Sequence, residues 1–244
     1  MAEPNGKLIR MPTEALLVLA LSLPDGHRFN SSQAISAWSV SSGLGYGALL
    51  TEPGRKYRIV ALRRRDDYVL VPSEYAGFTS RKEALHQLHI RLSEGGRRLP
   101  VPAGVRRRKA IESKVDQIYS ELFSELSTTV TYRGAFHIIA ELYLALPKPD
   151  DNFLADFETY GFNARLWELY LFACFKEQGC RVLQDYPSPD FEIEAGQHRA
   201  FIEAVTANPR GPRTLKLQQT QHPPVDTLER VSGDMAARFA KTLR

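Results

Sequence analysis

Residues 163–208 carry the feature that most narrows the fold: an apolar helical run followed by two short stretches in which apolar and polar residues alternate. Leu166, Trp167, Leu169, Tyr170, Leu171, Phe172, Ala173, Cys174 and Phe175 surround a helix almost completely, so it is expected to be buried on most faces. Gly179 marks its stop, and residues 181–184 read as a first strand. Residues 190–195 then alternate strictly, with Phe191 and Ile193 on one face and Asp190, Glu192 and Glu194 on the other. Gly196-Gln197 suits a hairpin turn. A third strand over 199–207 is expected to pair back, with Ile202 and Ala204 facing one way and Glu203 and Val205 the other.

Three acids stand at telling places in this succession of one helix and three strands. Glu168 is the only charge between Arg165 and Lys176, and an ionised carboxylate on so apolar a helix costs roughly several kcal/mol unless it is paired or faces a metal or polar cleft. Arg165, three residues earlier, is the local partner on offer, and the helix alone leaves pairing and metal binding equally open. Asp190 follows Pro189 at the start of a strand, and Glu203 sits between Phe201-Ile202 and Ala204-Val205, where a solvated side chain is not expected. Carboxylates delivered by a helix and two neighbouring strands suit a hard divalent cation such as Mg²⁺, which prefers oxygen ligands.

Pro189-Asp190, Glu203 thirteen positions on and Glu168 on the preceding helix resemble the PD-(D/E)XK nuclease superfamily over the last third of the chain, from about residue 160. The resemblance implies a restriction-endonuclease-like core and metal-dependent hydrolysis of DNA phosphodiester bonds. By position, Asp190 and Glu203 become ligands of Mg²⁺ or Mn²⁺, with Glu168 a third ligand or a residue behind them. The family's lysine, two places after the glutamate, is Val205 here. Three explanations stand: a lysine supplied from elsewhere, with Lys241 preferred over Lys216; a polar neighbour such as Thr206 or Gln218; or a site without activity. Thr206 faces the wrong way in a regular strand. Arg210 and Arg213, just past the strand, are placed to meet a phosphate backbone. The inactive alternative is a nuclease-fold protein acting as a nucleic-acid or protein binding or regulatory module.

The fold class expected is α/β, α+β overall. Residues 1–99 form a small α+β domain of unassigned role, 100–149 a linker and helical connector, and 150–244 an αβββα core. Leu228, Val231, Met235 and Phe239 recur at helical spacing for its second helix, and the core is expected to lack its final strand. Within 1–99, residues 15–23 read as a short buried helix capped by Thr13, too short to span a bilayer and without a cleavage pattern. Residues 30–47 are rich in Ser and Gly, and Gly43-Leu44-Gly45-Tyr46-Gly47 reads as a turn because no Gly-Lys-Ser/Thr follows. Strands are expected over 57–62 and 68–72 around a polar turn at 63–67, then a capped helix from Thr79 with Ala84, Leu85, Leu88 and Leu92 as its stripe. Arg106-Arg107-Arg108-Lys109 reads as a solvated linker or helix start, and 111–127 and 134–146 as helices around a short extended segment.

Other chemistries find little support. His86 and His89 lack the glutamate and spacing of a zinc protease, and His137 and Glu141 are simply one helical turn apart. Cys174 and Cys180 make no disulfide framework, so a reducing cytoplasm is expected. A net charge of +4 and a pI near 9.1 permit a polyanionic partner. DNA is the expected partner, with no membrane, and the N-terminal domain is left for self-association or a protein partner.

Overall fold

Ala48-Leu49-Leu50 and Ile59-Val60-Ala61-Leu62 are unbroken apolar runs, and a strand buries such a run only when both its faces are covered. The structure, a computed structural model, describes residues 7–21, 34–40, 43–93, 97–112 and 118–206. Its fold is α+β, with helices and two antiparallel sheets. The chain divides into two compact units, residues Met1–Ala110 with Ala140–Leu146, and Ile111–Ile139 with Pro147–Arg244. Residues 100–149, expected as a connector, are thus shared between them.

The first unit is built on a five-stranded meander in the order β1 (Leu8–Met11), β2 (Ala34–Val40), β3 (Gly45–Glu52), β4 (Lys56–Arg64) and β5 (Leu70–Phe78). Helix α1 (Ala15–Ala20) lies between β1 and β2 in sequence, and α2 (Arg81–Ser93) follows β5. Alternation along the strands sends Ala48, Leu50, Val60 and Leu62 toward Leu16 and Leu19 of α1. Leu49, Ile59 and Ala61 turn to Ala84, Leu88 and Leu92 of α2. The sheet is therefore covered on both sides, and the expected α2 stripe is the one observed.

Two expectations are corrected here. Gly43-Leu44-Gly45-Tyr46-Gly47 is turn only at its start: β2 ends at Val40 and β3 starts at Gly45, leaving Gly43, with φ +67°, at the turn. Gly47 lies inside β3 because α2 rests on it; a Cβ there would stand 2.7 Å from both Leu88 Cδ1 and the Val60 carbonyl oxygen. The polar turn also begins later than 63. Arg64 is the last residue of β4 and is buried, its guanidinium donating to both carboxylate oxygens of Glu141, to the Tyr68 carbonyl at 2.8 Å, and lying over the Tyr46 ring. Glu141 thus belongs to Arg64 rather than to His137.

Helices α3 (Glu121–Thr128) and α4 (Arg133–Ala145) are joined by a 3-10 turn at Val130–Tyr132, where an extended segment was expected; α3 and the turn belong to the second unit, and α4 belongs to the second unit up to Ile139 and to the first from Ala140. Helix α3 starts ten residues later than anticipated because Ser120 supplies its cap, its Oγ accepting from the Phe123 amide at 3.2 Å. An unanticipated α5 (Phe153–Glu158) adds Phe153 and Phe157 to Phe123 and Phe162, all four buried. Helix α6 (Phe162–Glu177) leads through Gly179, at φ +77°, into β6 (Arg181–Leu183), β7 (Phe191–Ala195) and β8 (His198–Ile202), an antiparallel meander with the hairpin turn at Gly196-Gln197. Phe175 of α6 meets Phe191 of β7 edge to face at 5.9 Å. One face of α6 is open after all: Trp167 and Tyr170 are exposed and stack on each other. Residues 207–244, including the expected second core helix, lie outside the described residues.

Gly47→Ala is expected to destabilise the protein by roughly 1–3 kcal/mol, since the Val60 backbone cannot yield as a side chain can. Gly45→Ala, whose Cβ finds its nearest neighbour at 3.4 Å, is expected to cost clearly less. Denaturant unfolding of the two variants checks the contrast.

Candidate functional site

Glu168 lies on α6 at 5% exposure and is buried there along with Phe162, Leu169 and Phe172. Its carboxylate is held by two neighbours. Arg165 Nη1 donates to Oε2 at 3.0 Å, and Gln184 Nε2, just past the end of β6, donates to Oε1 at a long 3.4 Å. Gln184 is itself fixed, because its Oε1 accepts the Lys148 amide at 3.1 Å.

Arg165 is shared among acids. Its Nη2 also donates to Asp156 Oδ2 at 2.8 Å and to Asp150 Oδ2, and its guanidinium lies 5.0 Å over the Phe153 ring. The local pair, one of the two readings that the helix left open, is therefore present, but it is one arm of a wider knot. Asp150 and Asp156 carry no sequence signal for this role, since the loop before α5 and the helix itself bring them in. With three carboxylates around it, Arg165 is held firmly in its charged form. Glu168 shares that guanidinium with Asp150 and Asp156. Burial, and then the repulsion from Asp190 and Asp150 set against the pull of Arg165, leaves its carboxyl pushed up to about 7.

Asp190, half-buried and one residue before β7, is thus near enough to Glu168 for its charge to be felt there. Its Oδ2 accepts the Ala204 amide at 2.7 Å, which ties the segment following β8 to the start of β7. Glu203 is the residue just before that amide. The strand expected over 199–207 ends at Ile202, and Glu203 is exposed, so the reading of Glu203 as a buried side chain inside a central strand is corrected. The register explains the early stop. Phe191 opposite Ile202 is the last pair of the ladder, and beyond it the Ala204 amide turns to the Asp190 side chain instead of a strand partner.

Two of the three expected acids are therefore in electrostatic contact, and the third is held alongside by a backbone bond but points to solvent. Among the described residues no group of three His, Cys, Asp or Glu side chains is gathered as for a metal ion. The donor set nonetheless fits Mg²⁺ chemically, since that ion is commonly bound through one or two carboxylates with waters and substrate phosphate completing its shell. Val205 and Thr206 are half-buried. Lys241, Arg210 and Arg213 lie outside the described residues.

A further carboxylate was read as part of a polar face. Glu192, in the middle of β7, is buried, with Arg199 Nη2 2.7 Å from its Oε1 though off the line of a hydrogen bond. Its cross-strand partner Phe201 is the exposed one. Arg199 also donates to Glu194, as does Arg181, so charges of both signs alternate across the three strands.

The pH response of Glu168 follows from its raised folded-state pKa. Below the ordinary carboxyl range both folded and unfolded chains carry the proton, whereas between about 4.5 and 7 the unfolded chain releases it and the folded one keeps it. Stability attributable to this group is therefore lost as pH rises through about 7. Glu168→Gln is expected to gain on the parent protein by an amount on the order of 2–3 kcal/mol between pH 5 and pH 8, and parallel unfolding curves at the two pH values read the difference.

Among the described residues no helix is long and apolar enough to cross a membrane. No protein-family model matches the chain, and no curated protein and no solved structure matches it.

Proposed function

We propose that the chain is a metal-dependent, nuclease-like hydrolase of DNA phosphodiester bonds, of PD-(D/E)XK type, with Asp190, Glu203 and Glu168 at its centre. The observation that carries this reading is the juxtaposition of Glu168 and Asp190. Burial above all, with a smaller push from the charge of Asp190 at the strand entry, raises the hold of Glu168 on its proton, and a carboxyl withdrawn from water beside a second carboxylate is a setting that a cation would suit. Asp190 and Glu168 hold Mg²⁺ or Mn²⁺ in this reading, and Glu203 joins by a side-chain rotation, its backbone being anchored through Ala204. The bound ion supplies charge to the phosphate and an activated water.

The chain's own residues do the rest. Gln184 orients the Glu168 carboxylate, and Arg165 limits the negative charge that Asp150, Asp156 and Glu168 accumulate. Val205 has no proton to give, so the cation expected beside the attacking water comes from another position, for which Lys241 is the candidate. Arg210 and Arg213 are the nearest cations in sequence to the strand and meet the backbone phosphates.

A second reading has its own observation: Arg165 already occupies one oxygen of Glu168, as a purely structural ion pair does. On that reading the same unit is a catalytically inactive module that binds nucleic acid or protein.

Nicking of supercoiled plasmid by the full chain in Mn²⁺ or Mg²⁺ separates the two. The enzyme reading expects cleavage that EDTA abolishes and that Asp190→Ala and Glu203→Ala each reduce by at least about a hundredfold, with Lys241→Ala also impaired. Absence of cleavage together with absence of Mn²⁺ binding by calorimetry supports the inactive module.

A further inference from the structure

The turn between β4 and β5 gathers an unusual density of cations. Segments 63–68 and 97–109 hold eight Arg and one Lys against Asp66 and Asp67 alone. Backbone bonds bring these segments together: Leu99 donates to the Arg64 carbonyl and Asp66 to the Leu99 carbonyl, both at 2.8 Å, forming a parallel bridge between Arg65 and Leu99. The second loop segment is pinned by Asp67, which is buried. Its carboxylate accepts Arg65 Nε at 2.8 Å and Nη2 at 2.6 Å, and also the Arg108 amide at 3.1 Å. One of the two acids is thereby spent inside the turn, as a staple for the cations around it.

What remains outside is basic. Arg97, Arg98, Arg106, Arg107 and Lys109 are exposed, and Arg63 donates to the Arg97 carbonyl at 3.2 Å, next to the same turn. Arg98 lies 4.1 Å over the ring of Tyr68, a residue the turn holds at φ +68°. Stacking fixes a guanidinium plane while leaving its N–H edge directed outward. The bias reaches the whole unit: its sequence has 18 Lys and Arg against 10 Asp and Glu, whereas the second unit has 14 against 18.

We propose that this surface of the first unit, formed by the β4–β5 turn and the loop segments stapled to it, binds the phosphodiester backbone of a nucleic acid. Arginine predominates over lysine five to one among Arg63, Arg97, Arg98, Arg106, Arg107 and Lys109, and the guanidinium fork matches a phosphate at two points. Cations projecting from separate segments around one turn fit a ligand with repeated charges better than a single small anion. The proposal does not rest on the carboxylates of the second unit. Binding is expected with the metal removed.

Fluorescence anisotropy of the full chain in EDTA, with a short DNA duplex and a single-stranded RNA of equal length over a salt series, tests it. Replacing Arg97, Arg98, Arg106 and Arg107 together by Gln is expected to weaken binding by at least about tenfold and to make the slope of log K against log salt shallower by roughly one for each arginine that meets a phosphate. Arg107→Glu with Lys109→Glu, read the same way, serves where the fourfold variant does not keep its melting temperature. Binding is read in EDTA, so a failure of metal-dependent catalysis leaves this result standing. Unchanged affinity and slope in the basic-surface variants overturns the proposal, as does equal affinity for polyglutamate or for vesicles rich in phosphatidylserine.

Discussion

A carboxylate withdrawn from water must have its charge met by neighbours or give it up, and Glu168 does some of both. Arg165 reaches it from one turn earlier but reaches Asp150 and Asp156 as well, so the loop before α5, α5 itself and α6 are bound at one point. Gln184 adds the end of β6 and, through the Lys148 amide, the start of the chain's passage into α5. Taking one partner from such a knot costs about 3–5 kcal/mol when it leaves an uncompensated buried charge, whereas the intact knot contributes little net stability. Its value is positional. It determines where the helix acid stands relative to Asp190, and every chemical reading of the second unit depends on that.

How much of this was legible from the residues varied with the reach of the interaction concerned. The helix-strand-strand-strand order and the hairpin at Gly196 were readable because the signals are local: strict alternation over residues 190–195, and a glycine where a positive φ is needed. So was the Arg165–Glu168 pair, three residues apart. Gly45 and Gly47 misled because glycine for a turn and glycine beneath a closely packed helix look alike until Leu88 is in place. Arg64 misled in the same way, since a cation beside Arg63 and Arg65 reads as solvated until Glu141, seventy-seven residues away, is seen to receive it. Glu203, expected inside a strand, proved exposed because the ladder ends where Asp190 takes the next amide, whereas Phe201 is exposed although it lies within β8.

Whole-chain composition concealed a separation that the fold makes plain. A net charge of +4 is mild, yet it averages a strongly basic unit and a moderately acidic one. Charge repulsion within the first unit is moderated by inward neutralisation, with Glu141 on Arg64 and Asp67 on Arg65. Stability alone favours mixing the signs on a surface. Concentrating one sign around a single stapled turn is costly to the fold, and a polyanionic ligand is the circumstance in which that cost is offset.

The second unit poses the sharper problem, because Asp190 has two tasks. One of its oxygens holds the Ala204 amide and so sets the course of residues 203–206, and in the proposed reading the same carboxylate would also take a cation. A ladder bond would have fixed Glu203 to one face of the sheet, and the side-chain bond instead leaves it outside the regular strand and free to turn. In the proposed reading, capture of a cation by Glu203 would depend on Asp190 twice, through shared charge and through backbone placement. The same dependence explains why an aliphatic Val205 is tolerable next door: with the strand ended at Ile202, position 205 is no longer held to the face that a regular strand would have given it, and half-burial there is served by an apolar side chain.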